Sequence, residues 1–245
     1  MKKLLILVFC LSITALMLYQ TGFFTYIQED HSLPADMRVE VVHNEYQRAE
    51  NRTQIVPFDG SQRFRPEELA YEGSPYLQQF DSFQWNGNAN CTVSFWSSLT
   101  NAVDKIVTAT NTGNIPVYVR MVFAFEHLDC NVWKNVCTAG SSYGMIYHGT
   151  IPIHGSLFDL YSYTYSQPLQ PGQTTMPSLL QIALDPAASS SDYQIIASGY
   201  EILTSAQVCQ AAGLPEELQS GTAAEEVIDT LLGRISTENH PWIGQ

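Results

Sequence analysis

The chain has 245 residues, 45% of them hydrophobic and 11% aromatic, so it can bury a sizeable core as one domain with appendages. Only 14% is charged and the formal net charge is -13, a surface that repels phosphate backbones and argues against nucleic-acid binding. The acidity otherwise reads as solvation, with a weak calcium site as the alternative.

Lys2 and Lys3 precede an apolar run from Leu4 to Leu18 broken only by Ser12 and Thr14. This is the basic and apolar arrangement of an export signal, which implies signal peptidase and the export machinery as partners. No A-x-A site follows, and the charge-free stretch continues to Gln28. At about 1.5 Å per helical residue it is long enough to cross a hydrocarbon core of about 30 Å. Residues 1–28 therefore read as an apolar helix, either a cleaved signal or a retained anchor that holds the chain in the membrane through residues 4–27. Basic residues before it and Glu29 and Asp30 after it orient the amino terminus to the cytoplasm. Both fates place the remainder outside the cytoplasm, at the cell surface or in the extracellular space.

Residues 29–36 form a linker, and residues 37–245 are expected to form the folded domain. Met37–Val42, MRVEVV, alternates as a short strand. Its residues Met37, Val39 and Val41 are candidates for an assembly strand, one that pairs with a neighbouring copy. Residues 43–90 are polar, with scattered aromatics such as Phe58, Tyr71, Phe83 and Trp85. The stretch is too long for an ordinary connection and reads as an irregular insertion pinned by those aromatics, or as a partly disordered stalk. Asn51-Arg52-Thr53 and Asn90-Cys91-Thr92 are nominal glycosylation sequons, short enough to arise by chance.

Two strands follow between Asp104 and Glu126. Val117, Val119, Met121, Phe123 and Phe125 alternate with Tyr118, Arg120, Val122 and Ala124, which places each set on one face. Asn111-Thr112-Gly113-Asn114 is rich in residues that tolerate positive φ, so the pair is predicted to be a hairpin. Arg120 falls on the more polar face, where a surface or carboxylate-paired arginine is expected and anion recognition is the alternative.

Outside the leader the cysteines are Cys91, Cys130, Cys137 and Cys209, an even number in a disulfide-permissive compartment. Cys130 and Cys137 flank the short loop DCNVWKNVC and are the disulfide candidates; closing it would stabilise the fold by roughly 2.5 kcal/mol in the chain-entropy model. Four reduced thiols are the alternative.

Further strands are predicted at Met145–Ile153, Leu157–Tyr165, Ser178–Leu184 and Tyr200–Val208, with a Pro171-Gly172 turn. His148 and His154 lie six apart, and with Asp159 they are the only weak metal candidates. Ordinary strand histidines are the plainer reading. Residues 222–233 switch to helical period, with a Thr222-Ala223-Ala224-Glu225 capping box, an apolar face of Val227, Ile228, Leu231 and Leu232, and Gly233 as C-cap. The tail through Trp242 reads as a docking segment. H-E-x-x-H, G-x-S-x-G, the P-loop and zinc-finger spacing are absent from the sequence, so no catalytic residue and no cofactor is assigned.

Three segments in order resemble the exported surface proteins of Gram-positive bacteria that carry the SipW-type signal peptide, the TasA/camelysin-like family. They are VTATNTGNIPVYVRMVFAFE from Val107, LQPGQTTMPSLLQIAL from Leu169 and GYEILTSAQVCQAAGL from Gly199. The resemblance spans about half the chain. It implies a jelly-roll-like two-sheet β-sandwich at the cell surface or in a biofilm matrix. In fibre-forming members a strand near the mature amino terminus completes the next subunit's sheet. The family's signal commonly ends near an aromatic AYFTD-like run, where this chain has TGFFTYIQED. The reading is a mostly β, non-catalytic, exported structural protein with self-assembly into fibres open. An extracellular binding module for glycan, peptide or calcium is the alternative, and a secreted hydrolase the third.

Overall fold

The structure is a computed structural model that describes residues 23–25, 38–49, 54–60, 80–85, 92–96, 102–185, 188–219 and 221–244. The chain is mostly β. One sheet runs β1 (Phe23–Thr25), β12 (Ile202–Gln210), β7 (Val117–Glu126), β10 (Ser156–Thr164), β9 (Met145–Ile153); we call it sheet A. The other, sheet B, runs β3 (Ile55–Pro57), β2 (Val41–Arg48), β6 (Ala102–Asn111), β11 (Leu179–Leu184), β8 (Val132–Asn135). A separate hairpin pairs β4 (Phe80–Gln84) with β5 (Thr92–Trp96). Pairing is antiparallel throughout except for β1, which lies parallel to β12.

The two sheets face each other across one core. Val39, Val41, Val103, Val107 and Ala109 from sheet B and its lead-in meet Val119, Met121, Phe123, Tyr163 and Val208 from sheet A. Val119, Met121 and Phe123 are fully buried on one face, as the alternation predicts. The opposite face of β7 is buried too. Val122 and Ala124 lie under Ile235 and Trp242 of the carboxy-terminal tail, which docks as expected. Tyr118 packs with Cys209 beneath α2 (Ala224–Leu232) through Val227 and Ile228. On the far side of sheet B, Trp85, Val93 and Phe95 of the small hairpin cover Ile106 and Leu180.

The segment Asp104–Glu126 has the expected strands, but they are not a hairpin. β6 belongs to sheet B and β7 to sheet A, so Asn111–Pro116 is a corner between sheets. The Asn111 amide fixes that corner by donating to the carbonyls of Ile115 at 2.8 Å and Leu169 at 2.9 Å. Gly113 packs so close to the Arg38–Glu40 backbone that a Cβ there would sit 2.2 Å from the Arg38 carbonyl. Local turn chemistry is the same for a hairpin and a corner; the partner is decided by which face each strand must bury.

Three further expectations change. β2 starts at Val41 and runs to Arg48, so residues 43–90 are not an irregular insertion throughout: they contain most of β2, all of β3 and β4, and the buried Trp85. Cys130 and Cys137 are not bonded to each other. β8 runs extended between them, and they end on opposite faces of sheet B: Cys130 against the central core, Cys137 under the β4–β5 hairpin. The helix at 222–233 forms as α2 and ends at Gly233 with φ +83°, but its N-cap is Ala223 and the Thr222 capping box is not made. A second helix, α1 (Ser190–Ser198), opens with a capping box of Ser189 and Asp192 that the sequence reading passed over. The apolar helix expected in residues 1–28 lies outside the described residues except at Phe23–Thr25, which is extended. Among the described residues no helix is long and apolar enough to cross a membrane.

Candidate functional site

Sheet A has side chains with chemical potential on both faces, and they open into two different clefts. The first, of about 830 Å³, lies between β9, β10 and α2 on the outer face. Arg120 is its floor. Although 2% exposed, it is fully engaged: Nη1 lies 2.6 Å from Asp229 Oδ1, Nε and Nη2 lie 2.9 and 2.7 Å from Gln207 Oε1, and Nη2 donates to the Gly233 carbonyl at 2.8 Å. Of the two expected settings Arg120 takes the carboxylate-paired one and is not a surface residue, and the guanidinium caps the carboxy-terminal end of α2. Beside it His148 Nε2 and Ser162 Oγ share a hydrogen bond of 2.7 Å. Burial, and then the Arg120 cation, push the His148 pKa down, against the pull of Asp229. Tyr143, exposed, lines the same cleft, as do Glu225 and Arg234.

The second cleft, of about 670 Å³, sits at the side of the sandwich where edge strands β8 and β9 leave the sheets apart. His127 Nδ1 lies 2.9 Å from Asp159 Oδ1, which also accepts from Thr150 Oγ1 at 2.8 Å. Lys134 of β8 reaches into the gap between the sheets, its Nζ 4.3 Å from the Tyr161 ring centre and 4.7 Å from that of Phe125. Burial brings its pKa down to about 8, against the pull of Asp159. Burial pushes the Tyr161 hydroxyl up to about 12, helped by Asp159 and Tyr147.

The three metal candidates are thus dispersed. His148 lines the first cleft, Asp159 the second, and His154 sits exposed in the β9–β10 turn. His154 has φ +50° and Gly155 φ +87°, the geometry of a two-residue hairpin turn, so its position serves backbone conformation. Among the described residues no group of three His, Cys, Asp or Glu converges on a metal position. The parts of a Ser–His–Asp arrangement are split as well: hydroxyl and imidazole in the first cleft, imidazole and carboxylate in the second. Of the assembly candidates, Met37 lies outside the described residues; Val39 and Val41 are buried in this chain's own core, and Val41 pairs with Asn111.

His127 and Lys134 were not singled out from sequence. The alternation Val132-Trp133-Lys134-Asn135-Val136 carried a usable strand signal, since it turns Lys134 to the same side as the Val132 and Val136 side chains.

Comparison with protein-family models, with curated proteins and with solved structures returned no match.

Proposed function

We propose that this chain is a non-catalytic, exported structural protein of the bacterial cell surface or biofilm matrix, with a jelly-roll-type sandwich and self-association by strand addition at the β12 edge. The observation that carries this is β1: within the charge-free amino-terminal stretch, Phe23–Thr25 adds to sheet A beside Ala206–Val208, a role that requires any cleavage of the leader to fall before Phe23. Three residues make a weak hold, so an equivalent strand from a second copy can replace it at the same edge. The β2 segment is not available for this role, because Val39 and Val41 are part of the core. The jelly-roll reading is supported by nested antiparallel pairing, β9 with β10, β8 with β11 and β7 with β12, as in one long hairpin folded over itself. The three segments resembling the TasA/camelysin-like family, and the Lys2-Lys3 leader with its apolar run, support export and a Gram-positive source.

Two measurements test the reading. Labelling of intact cells should reach the folded domain; protein confined to the cytosol overturns export. Sedimentation and electron microscopy should find assemblies when the chain starts at Gly22 and monomers when it starts at Glu29. Monomers in both would remove the fibre role and leave a plain surface protein.

A glycan-binding module is the second reading. It is favoured by Tyr143, 66% exposed beside the polar first cleft, as aromatic faces and carboxylates together suit sugars. Oligosaccharide titration of the wild type and Tyr143→Ala separates it from the structural role.

A further inference from the structure

Only four lysines occur in the chain, at positions 2, 3, 105 and 134. Lys105 is neutralised in the ordinary way, by an ion pair with Glu45 over the Phe58 ring. Lys134 is held differently. Its Nζ donates to the Val132 carbonyl at 2.9 Å and otherwise faces the rings of Tyr161 and Phe125. Among the described residues no carboxylate forms an ion pair with it. An ammonium has three N–H donors, so this setting satisfies the charged form poorly, and burial lowers its pKa to about 8. The ring faces work the other way, in favour of the cation. A lysine in such a position keeps a far larger neutral fraction at neutral pH than a solvated one. It also lines a cavity of about 670 Å³ that holds the His127–Asp159 pair and is lined by Asp129 as well.

We propose that Lys134 is a covalent capture site for a polyhydroxylated aldehyde, the open-chain form of a short reducing sugar, held as an imine at the mouth between the two sheets. The neutral Nζ attacks the carbonyl carbon, a C–N bond forms, and the carbonyl π pair goes to oxygen. One nitrogen proton moves to that oxygen and gives the carbinolamine. The nitrogen lone pair then expels the hydroxyl, which takes a further proton and leaves as water, and loss of the second nitrogen proton gives C=N. Amine plus aldehyde becomes imine plus water, with no oxidant or reductant. His127, oriented by Asp159, carries the proton to the departing hydroxyl. The Asp129 carboxylate, on the cavity lining, accepts from the sugar's other hydroxyls.

The test uses the folded domain, glyceraldehyde as probe and cyanoborohydride to trap the imine at pH 7.5, with peptide mapping of the adduct. Lys134 should react at least about tenfold faster than Nα-acetyl-lysine in the same tube, as its larger neutral fraction requires, while Lys105 stays nearly unmodified. Butanal, which lacks hydroxyls, should react at Lys134 several-fold more slowly than glyceraldehyde. Lys134→Arg should lose the adduct. Should that variant fail to fold, the wild type in urea decides, since unfolding must abolish the rate advantage. A Lys134 rate equal to that of Nα-acetyl-lysine, or unchanged by urea, overturns the site. Equal rates with butanal overturn the sugar class.

Discussion

Arg120 on β7 and Asp229 on α2 meet at 2.6 Å beneath the helix, and this pair fastens the carboxy-terminal region to sheet A. Arg120 is 2% exposed, so losing its carboxylate leaves a buried cation short of a partner. Asp229→Ala should destabilise the fold by about 3 kcal/mol, near the low end for broken buried pairs because Gln207 and the Gly233 carbonyl remain as acceptors. Arg120→Met, which removes the charge and keeps the volume, should cost less. Urea denaturation of the two variants checks the order; an Asp229→Ala protein as stable as wild type would mean the pair is solvated.

The corner at Asn111–Pro116 makes a second prediction. A Cβ at Gly113 would lie 2.2 Å from the Arg38 carbonyl and 2.9 Å from the Glu40 amide nitrogen, both backbone atoms that cannot swing aside. The Gly113 amide also donates to the Glu40 carbonyl at 3.1 Å. Gly113→Ala should therefore lower the thermal midpoint by several degrees, on the order of 3 °C per kcal/mol in a domain of this size. Asn114→Ala should weaken the same corner, since the Arg38 amide donates to Asn114 Oδ1 at 2.6 Å. Unchanged melting of Gly113→Ala would show that the lead-in strand shifts freely.

The strands were legible where side-chain period and length agreed. Met145–Ile153 is read with its observed ends, and β7, β10, β11 and β12 within a residue or two. Pairing was not legible, because alternation says which residues share a face and not which strand lies alongside. β8 was lost to a competing reading of Cys130 and Cys137 as a loop staple. The clefts were invisible for a similar reason: His127 meets Asp159 across 32 residues and Arg120 meets Asp229 across 109, distances set by sheet order alone.

His148 gives a pH dependence with a definite sign. Its folded pKa lies below the ordinary imidazole value, first through burial and then through Arg120, so the unfolded chain takes up a proton that the fold disfavours. Its contribution to stability is complete above about pH 6.5 and is lost as pH falls from there towards the lower folded value. His43 and His240 shift in the same direction, both mainly through burial. The three histidines should make urea midpoints decline between about pH 7 and pH 5, against an opposite contribution from Glu126 and Glu225, whose pKa values burial raises. His148→Gln should show a shallower decline; an identical slope would mean that His148 titrates normally in the fold.

The cysteines should behave as thiols. Burial, and the neighbouring Asp192, push Cys130 up to about 12, and Cys209 is raised likewise to about 12 by burial. At pH 8 the thiolate fraction of each is about one in ten thousand. Iodoacetamide should leave Cys130, Cys137 and Cys209 nearly unmodified in the folded protein and alkylate all three in urea without reductant. Alkylation of Cys130 and Cys137 only after reduction would restore the disulfide and require β8 to be rearranged, because a bridge needs Cα atoms within about 7 Å.

The amino-terminal strand and the lead-in to β2 should respond differently to truncation. A chain starting at Glu29 lacks β1, which contributes three residues at the β12 edge, and keeps both sheets of the core. At concentrations where both are monomeric, its thermal midpoint should match that of a chain starting at Gly22. A chain starting at His43 also loses Val39 and Val41, each 7% exposed, at roughly 1.5 to 3 kcal/mol apiece for a buried valine. It loses in addition the Glu40 carbonyl, which accepts from the amides of Thr112 at 3.0 Å and Gly113 at 3.1 Å, and the Arg38 carbonyl, which accepts from Asn114 at 3.1 Å. These losses approach the whole stability of a typical domain. The shorter chain should melt far lower or aggregate, with sheet B opened at Asn111. Equal thermal midpoints for the Glu29 and His43 chains would mean that Val39–Val42 is dispensable to its own sandwich and free to serve a neighbour.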